Sequence, residues 1–243
     1  MWRTALLAAA MAGAIGAAPA EAADIAPVYK APPAPVVVWN PWMIRLRALV
    51  VDPKNDTTFN QLPGGNASWS TSVVPELDIT YFFTPNFAAE LILGVTPHKA
   101  TGTGIVTSGV ATGLNMEGLQ IGKTWLLPPT LTFQYHFTNF GAFKPYVGAG
   151  VNYTIFFNDK AANTPGGNPA VSITSLDVKN AWAPAVQAGF DYMLDKHWGL
   201  NFDVKYLWLQ PSFTAAVNNG AIALTGKAKL DPWIYGAGVT YKF

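Results

Sequence analysis

Along most of this chain apolar and polar residues alternate with a period of two, and the apolar set carries most of the rings. Over residues 231–243, Trp233, Tyr235, Ala237, Val239, Tyr241 and Phe243 share one face, against Ile234, Gly236, Gly238, Thr240 and Lys242. Strand side chains point to opposite sides in turn, so this stretch is one strand with a wholly apolar face, rings near its ends and small aliphatics between. The rhythm recurs over 42–50, 73–83, 87–95, 129–137, 144–157, 181–194 and 198–208. At 42–50, for example, Trp42, Ile44, Leu46, Ala48 and Val50 oppose Met43, Arg45, Arg47 and Leu49. One such strand would suit the edge of a soluble sandwich. Eight of them predict an all-β fold, an eight-stranded antiparallel up-and-down transmembrane β-barrel whose outer face meets acyl chains.

The connections alternate in length. Segments 52–72, 97–127, 158–179 and 210–228 are long, and those between them are short. Membrane barrels show this asymmetry, with short periplasmic turns and long extracellular loops, and an even strand count leaves both termini in the periplasm. The Gly/Pro/Asn-rich segment 161–169 reads as an exposed loop tip.

The charged residues of the strands fall opposite the aromatic face. An Arg or Lys facing lipid at the midplane would cost about 2–4 kcal/mol, so these charges must line the lumen. They are Arg45, Arg47, Lys144, Lys205 and Lys242 with Glu76, Asp78, Glu90, Asp191 and Asp203. An eight-stranded interior is just wide enough for side chains to fill. One reading is therefore a salt-bridged plug that stabilises the barrel and nothing else. Strand direction adds depth: Leu49, Val74, Ile92, Phe156, Leu207 and Ile234 fall in the extracellular half of the lumen, and His136, Lys144, Asp191, Asp203, Thr240 and Lys242 toward the periplasm. An apolar mouth above a polar floor implies a vestibule for small hydrophobic molecules, although Phe156 and Leu207 would equally pack a taper. Pro75, Pro129, Pro184 and Pro232 sit near the outer starts of descending strands and cannot donate to the ladder. They either mark strand starts or weaken pairing enough for lateral release.

The N-terminus supplies the compartment. Arg3, an apolar run over 5–18 and the small-x-small Ala20-Glu-Ala22 read as a secretory signal peptide, residues 1–22. The run is shorter than the ~20 residues a spanning helix needs. Residues 23–41, with Pro27, Pro32, Pro33 and Pro35, read as an extended periplasmic tether, and 42–243 as the barrel domain. A formal net charge of +1 leaves no field to recruit nucleic acid, and the absence of cysteine removes thiol chemistry, disulfides and thiolate metal sites. His98, His136 and His197 scatter in predicted depth, which argues against a metal site or a catalytic triad. The one defensible rim arrangement pairs His98 with Ser70 or Ser108, and spacing does not favour it. No cofactor and no enzyme activity are expected.

Several blocks resemble the OmpW family of outer-membrane proteins: Arg45-Leu-Arg-Ala, Pro75-Glu-Leu-Asp-Ile-Thr-Tyr-Phe-Phe-Thr, Ala89-Glu-Leu-Ile-Leu, Thr96-Pro-His-Lys, Leu127-Pro-Pro-Thr-Leu-Thr, Gln134-Tyr-His-Phe and Lys144-Pro-Tyr-Val-Gly-Ala-Gly-Val-Asn-Tyr-Thr. Gln187-Ala-Gly-Phe-Asp-Tyr and Asp231-Pro-Trp-Ile-Tyr-Gly extend the match, which covers roughly 42–243. The resemblance implies a narrow hydrophobic lumen that takes small hydrophobic compounds across the lipopolysaccharide layer of a Gram-negative outer membrane and releases them sideways. The Pro-rich segment lies outside the usual pattern, and 52–72 and 210–228 match poorly, so ligand choice does not carry over. The terminal strand, with Tyr241 and Phe243, also resembles the export signal read by the barrel assembly machinery.

Three functions compete on these grounds. The first is a passive porin-like channel for small hydrophobic ligands, surrounded by outer-membrane lipids and lipopolysaccharide. The second is a structural or receptor barrel with a closed, salt-bridged lumen and no transport. The third, a soluble lipocalin-type barrel, would have to expose about ten charges and bury every large ring.

Overall fold

The computed structural model describes residues 39–162 and 172–243. The expected signal peptide, nearly all of the tether and most of the 161–169 loop tip lie outside the described residues. Every described element is a strand: β1 (Trp42–Asp52), β2 (Asp56–Phe59), β3 (Gly65–Trp69), β4 (Ser72–Phe82), β5 (Phe87–Gly94), β6 (Thr96–Gly104), β7 (Gln120–Leu127), β8 (Thr130–His136), β9 (Phe143–Ala161), β10 (Ile173–Val178), β11 (Ala181–Met193), β12 (Trp198–Leu207), β13 (Ser212–Val217), β14 (Ile222–Lys229) and β15 (Trp233–Lys242).

Eight of these close a ring in which β1 pairs with both β4 and β15, and β11 with both β9 and β12. The circuit is completed by β4–β5, β5–β8, β8–β9 and β12–β15, all antiparallel. The register keeps like with like: Leu46 stands between Val239 and Leu77, and Arg47 between Gly238 and Glu76. A one-residue slip would turn Arg45 and Arg47 into lipid, which is why the register is so strongly specified. The expected strands are all present, with ends shifted by up to four residues.

The four long segments differ from expectation, because most of their described residues are strand rather than loop. β10, β13, β14 and β2 form a second sheet, and β6, β7 and β3 extend the wall above β5, β8 and β9. The cause is an inversion of the hydrophobic phase. In the ring the apolar face points outward, as with Leu46, Leu91, Phe133 and Phe202, all exposed. In the extension it points inward: Ala67 and Trp69 on β3, Phe213, Ala215 and Val217 on β13, and Leu224 and Ala228 on β14 are buried, while Lys227 and Lys229 face out. Where water replaces lipid around the wall, the apolar side must turn to the interior. These strands are short and rich in Gly, Asn and Thr, so their alternation reads as loop composition.

At the other end the connections are tight. Asp195 accepts hydrogen bonds from the backbone N–H of His197 and Trp198, both at 2.7 Å, and those bonds hold its carboxyl below the usual carboxylate range. Rings crowd this rim in edge-to-face contacts, including Trp42 on Tyr81 and Trp198 on Tyr241. Aromatic rings here and at the opposite limit of the apolar belt, such as Trp125 beside Phe157 and Tyr206 beside Trp233, are the two girdles of a membrane barrel.

Candidate functional site

The middle of the ring is filled by charge. Arg45 on β1 makes a bidentate pair with Asp191 on β11, Nε to Oδ1 at 3.1 Å and Nη2 to Oδ2 at 2.6 Å, and donates through Nη1 to Glu90 on β5. Arg47, two residues along the same face, lies 2.9 Å from Glu76 and 2.7 Å from Asp78 through Nη2, and 3.4 Å from Asp203 through Nη1. Lys205 on β12 joins Glu76 at 2.9 Å to Asp203 at 2.8 Å. Neutral donors add to the network: Gln134 and Gln187 donate to Glu90, Thr240 and Asn201 to Asp191, and Tyr146 to Asp203, whereas Asp78 is held by its ion pair with Arg47 and accepts no hydrogen bond. Both arginines and all five carboxylates are buried. Ions taken this far from water persist only with partners at hydrogen-bonding distance, and removing one partner strands the others. The network is therefore a plug across the barrel.

Above the plug lies an apolar slot. Its floor is Glu76 and Lys205, and its walls include Leu49, Ile92, Leu207, Leu209, Leu230 and Ile234, with Trp69 and Pro53 higher up. The slot encloses about 50 Å³, room for only a few water-sized groups. Its walls continue into the buried core of the extension, so a single apolar interior runs from the plug to the hairpin end.

One side of this slot has a break in the wall. The β5–β8 ladder ends at Ile92 opposite Thr130, and the β6–β7 ladder begins at Thr96 opposite Leu126. The two registers are continuous, which sets Gly94 opposite Pro128, yet neither this pair nor its neighbours join the ladder. Pro128 and Pro129 have no N–H to donate. On their other side the wall is sealed, because Tyr153 donates to the Pro129 carbonyl at 3.1 Å and the Asn152 amide donates to Pro128 at 3.1 Å and to Thr130 at 2.8 Å. Gly94, Thr96, Leu126, Pro128 and Thr130 all border the slot, so the unpaired stretch forms part of its wall.

The OmpW family model matches residues 41–243. The chain belongs to the OmpW family. An uncharacterized outer-membrane protein of Sinorhizobium fredii, y4mB, is 48% identical over 97% of this chain and 95% of its own length. Outer membrane protein W of Vibrio cholerae is 40% identical over 69% of this chain and 72% of its own length. Among solved structures, the outer membrane protein OprG of Pseudomonas aeruginosa superposes with a TM-score of 0.68 and 27% identity, covering 83% of this chain and 95% of that one. The chain is thus a closed eight-stranded OmpW barrel of the cell outer membrane, and it is not an enzyme.

Most of the residues singled out from the sequence meet in this OmpW barrel. Leu49, Ile92, Leu207 and Ile234 line the slot, whereas Val74 and Phe156 are buried in the same apolar core without bordering it. Arg45, Arg47, Glu76, Asp78, Glu90, Asp191, Asp203 and Lys205 form the plug. Lys242 does not join it, which corrects the expected balance of five cations against five carboxylates. It sits opposite Met43, near the end of the terminal strand, with its ammonium 4.9 Å from the Phe82 ring. Lys144 likewise stays at the turn end and donates to the Thr138 carbonyl at 2.8 Å. Three cations therefore serve five carboxylates in the plug.

Among the four prolines of the descending strands, Pro129 stands at a ladder break, while Pro75 and Pro184 keep their register opposite Ala48 and Val151. Tyr146 was not picked out from the sequence. Its ring lies 4.7 Å under the Arg45 guanidinium and stacks on His136, and Gly189 across the ladder leaves room for it. The available signal was a glycine facing inward on a strand opposite a tyrosine on the lumen face. His98 points inward and donates Nδ1–H to the Ser70 carbonyl at 2.6 Å, not to a serine hydroxyl, so the rim arrangement of a catalytic pair is not formed.

Proposed function

We propose that the protein admits small apolar molecules at the hairpin end of the barrel and releases them sideways into the membrane between Gly94 and Pro128. The observation that carries this reading is an apolar slot closed below by buried ion pairs and interrupted in its wall by an unpaired stretch. A solute entering the slot meets Glu76 and Lys205 beneath it, and an apolar group gains nothing by displacing paired ions. The break offers a path on which apolar surface stays out of water. At about 50 Å³ the slot favours slim, flexible solutes that pass by shifting leucine and proline side chains.

In this reading the long hairpins face the exterior, and the short turns and both chain ends face the periplasm. The polar outer surface of the extension and its buried apolar interior support that orientation, since the extension is built to stand in water beyond the lipid. Tyr241 and Phe243, packed edge to face at the end of β15, are assigned to recognition by the assembly machinery during insertion.

The test is uptake of a small alkane or arene into liposomes with and without the protein, beside a charged solute of similar size. Faster entry of the apolar solute alone is expected, and equal rates with and without protein would reject the reading. The complete burial of Arg45 and Arg47 favours a second reading, a closed structural or receptor barrel, and the same measurement separates the two.

A further inference from the structure

Three lysines lie abreast on the outer wall. Lys99 on β6 stands opposite Lys123 on β7, and Lys123 stands opposite Lys160 on β9. All three are exposed, and none has an ion-pair partner among the described residues. Like charges directly opposite each other on neighbouring strands are destabilising. The arrangement is nevertheless held in place by the backbone. Two steps along β7, from Lys123 to Trp125, face three along β9, from Lys160 to Phe157, and the extra residue is absorbed at a bulge where Asn158 adopts a φ of 55°. Without that bulge Lys160 would turn inward. The adjacent carboxylate is turned away: Asp159 accepts from the Thr124 hydroxyl and from the Val178 N–H, so it does not neutralise the row.

The row's height on the wall says what would neutralise it. Trp125 and Phe157, paired rings on the same outward face, mark the limit of the apolar belt. Two residues of strand further, about 7 Å at ~3.3 Å per residue, come the lysines. That is the level of lipid headgroups rather than of acyl chains. Strands lie about 4.8 Å apart, so the row spans about 10 Å, wider than a single phosphate needs. Thr101 and Gln120 border the same shallow cleft and add neutral polar groups, and no Asp or Glu lines it.

We infer that Lys99, Lys123 and Lys160 form a docking site for a bis-phosphorylated glycolipid headgroup of the surrounding leaflet. The choice of leaflet rests on the outward orientation of the hairpin end proposed above; the binding itself does not require transport. Bound headgroup phosphates offset the repulsion along the row and anchor the β6–β7–β9 wall, which includes the strands beside the Gly94 break.

The experiment uses the full chain in a zwitterionic detergent and measures binding of bis-phosphorylated lipid A. The comparison lipids are dephosphorylated lipid A and phosphatidylglycerol, and inorganic phosphate is the competitor. For the triple variant Lys99→Gln, Lys123→Gln, Lys160→Gln, binding is expected to weaken roughly a hundredfold, since all three cations facing the phosphates are removed. Lys123→Arg should retain it. In lipid-free micelles the triple variant should unfold at the same temperature as the parent protein or higher, because repulsion has been removed, which also establishes that it folds. Equal affinity of triple variant and parent protein would overturn the inference. So would equal binding of dephosphorylated lipid or phosphatidylglycerol, or displacement by inorganic phosphate alone. A protein that binds the lipid yet fails the liposome uptake test would retain this site and lose only the transport reading.

Discussion

Gly94 stands opposite Pro128 in a continuous register, yet no ladder bond joins them. The pair marks where the wall of the barrel changes environment. Below it, leucines and rings face lipid; above it, past the outward rings of Trp125 and Phe157, the apolar side faces the interior. The register runs on past this pair, so inward and outward positions keep their parity while the chemistry of each face changes, and two successive prolines without N–H groups cannot donate to the ladder here. Gly94 and Pro128 both line the apolar slot.

Polarity inside the slot should set the rate of apolar uptake. Leu207→Gln places an amide on a buried wall position. An uncompensated amide costs about 1–3 kcal/mol for an apolar neighbour to approach, so liposome uptake of a small alkane should fall roughly tenfold. Heat-modifiable electrophoretic mobility should show the barrel still folded.

The plug should behave as structure, not as a transport path. Arg45→Ala leaves Asp191 and Glu90 buried without their cation, and a loss of about 3–5 kcal/mol in denaturant unfolding is expected. Apolar uptake by the fraction that folds should be unchanged. Adding Glu90→Gln and Asp191→Asn to Arg45→Met should recover much of the loss, because the stranded charges are gone.

A pattern is legible in a sequence to the extent that one environment selects it. Lipid selects against charge with several kcal/mol per residue, so Arg45 and Arg47 on one face and Leu46 and Ala48 on the other are legible from alternation alone. In the extension the same alternation reappears inverted and diluted by Gly, Asn and Thr, and β2, β3, β13 and β14 read as loop. Lys242 shows a different limit: alternation gives a face but not a depth, and Thr240, two residues earlier on the strand, is the one that reaches Asp191. Tyr146 was missed because its partner Gly189 signals only by lacking a side chain.

That lack can be tested directly. A Cβ on Gly189 would lie 2.6 Å from the Tyr146 hydroxyl oxygen and 2.5 Å from the Phe202 carbonyl oxygen, closer than real contacts allow. Gly189→Ala should therefore displace the Tyr146 ring from beneath Arg45 and destabilise the barrel by about 1–3 kcal/mol, the usual cost of overpacking. The fall in denaturation midpoint would measure it.

His98, on β6 above the apolar belt, should confer a pH dependence of known sign. Burial pushes its imidazole below the usual 6.5, partly offset by the bond to the Ser70 carbonyl. The unfolded chain then binds a proton that the folded protein resists. Stability from this group is complete above the unfolded value and declines as pH falls below about 6.5, by at most about 1.4 kcal/mol per unit for one proton. His98→Gln should flatten that slope between pH 7 and pH 5 in denaturant titrations.

The most direct test of lateral release is a reversible staple across the break. The chain contains no cysteine, so Gly94→Cys with Pro128→Cys introduces a unique pair at positions whose antiparallel register suits a disulfide. Liposome uptake of a small alkane should be near the parent rate when the pair is reduced, fall to the protein-free rate on oxidation, and return on reduction. Uptake that continues undiminished through the oxidised barrel would contradict the account, because the solute would then be leaving by another path.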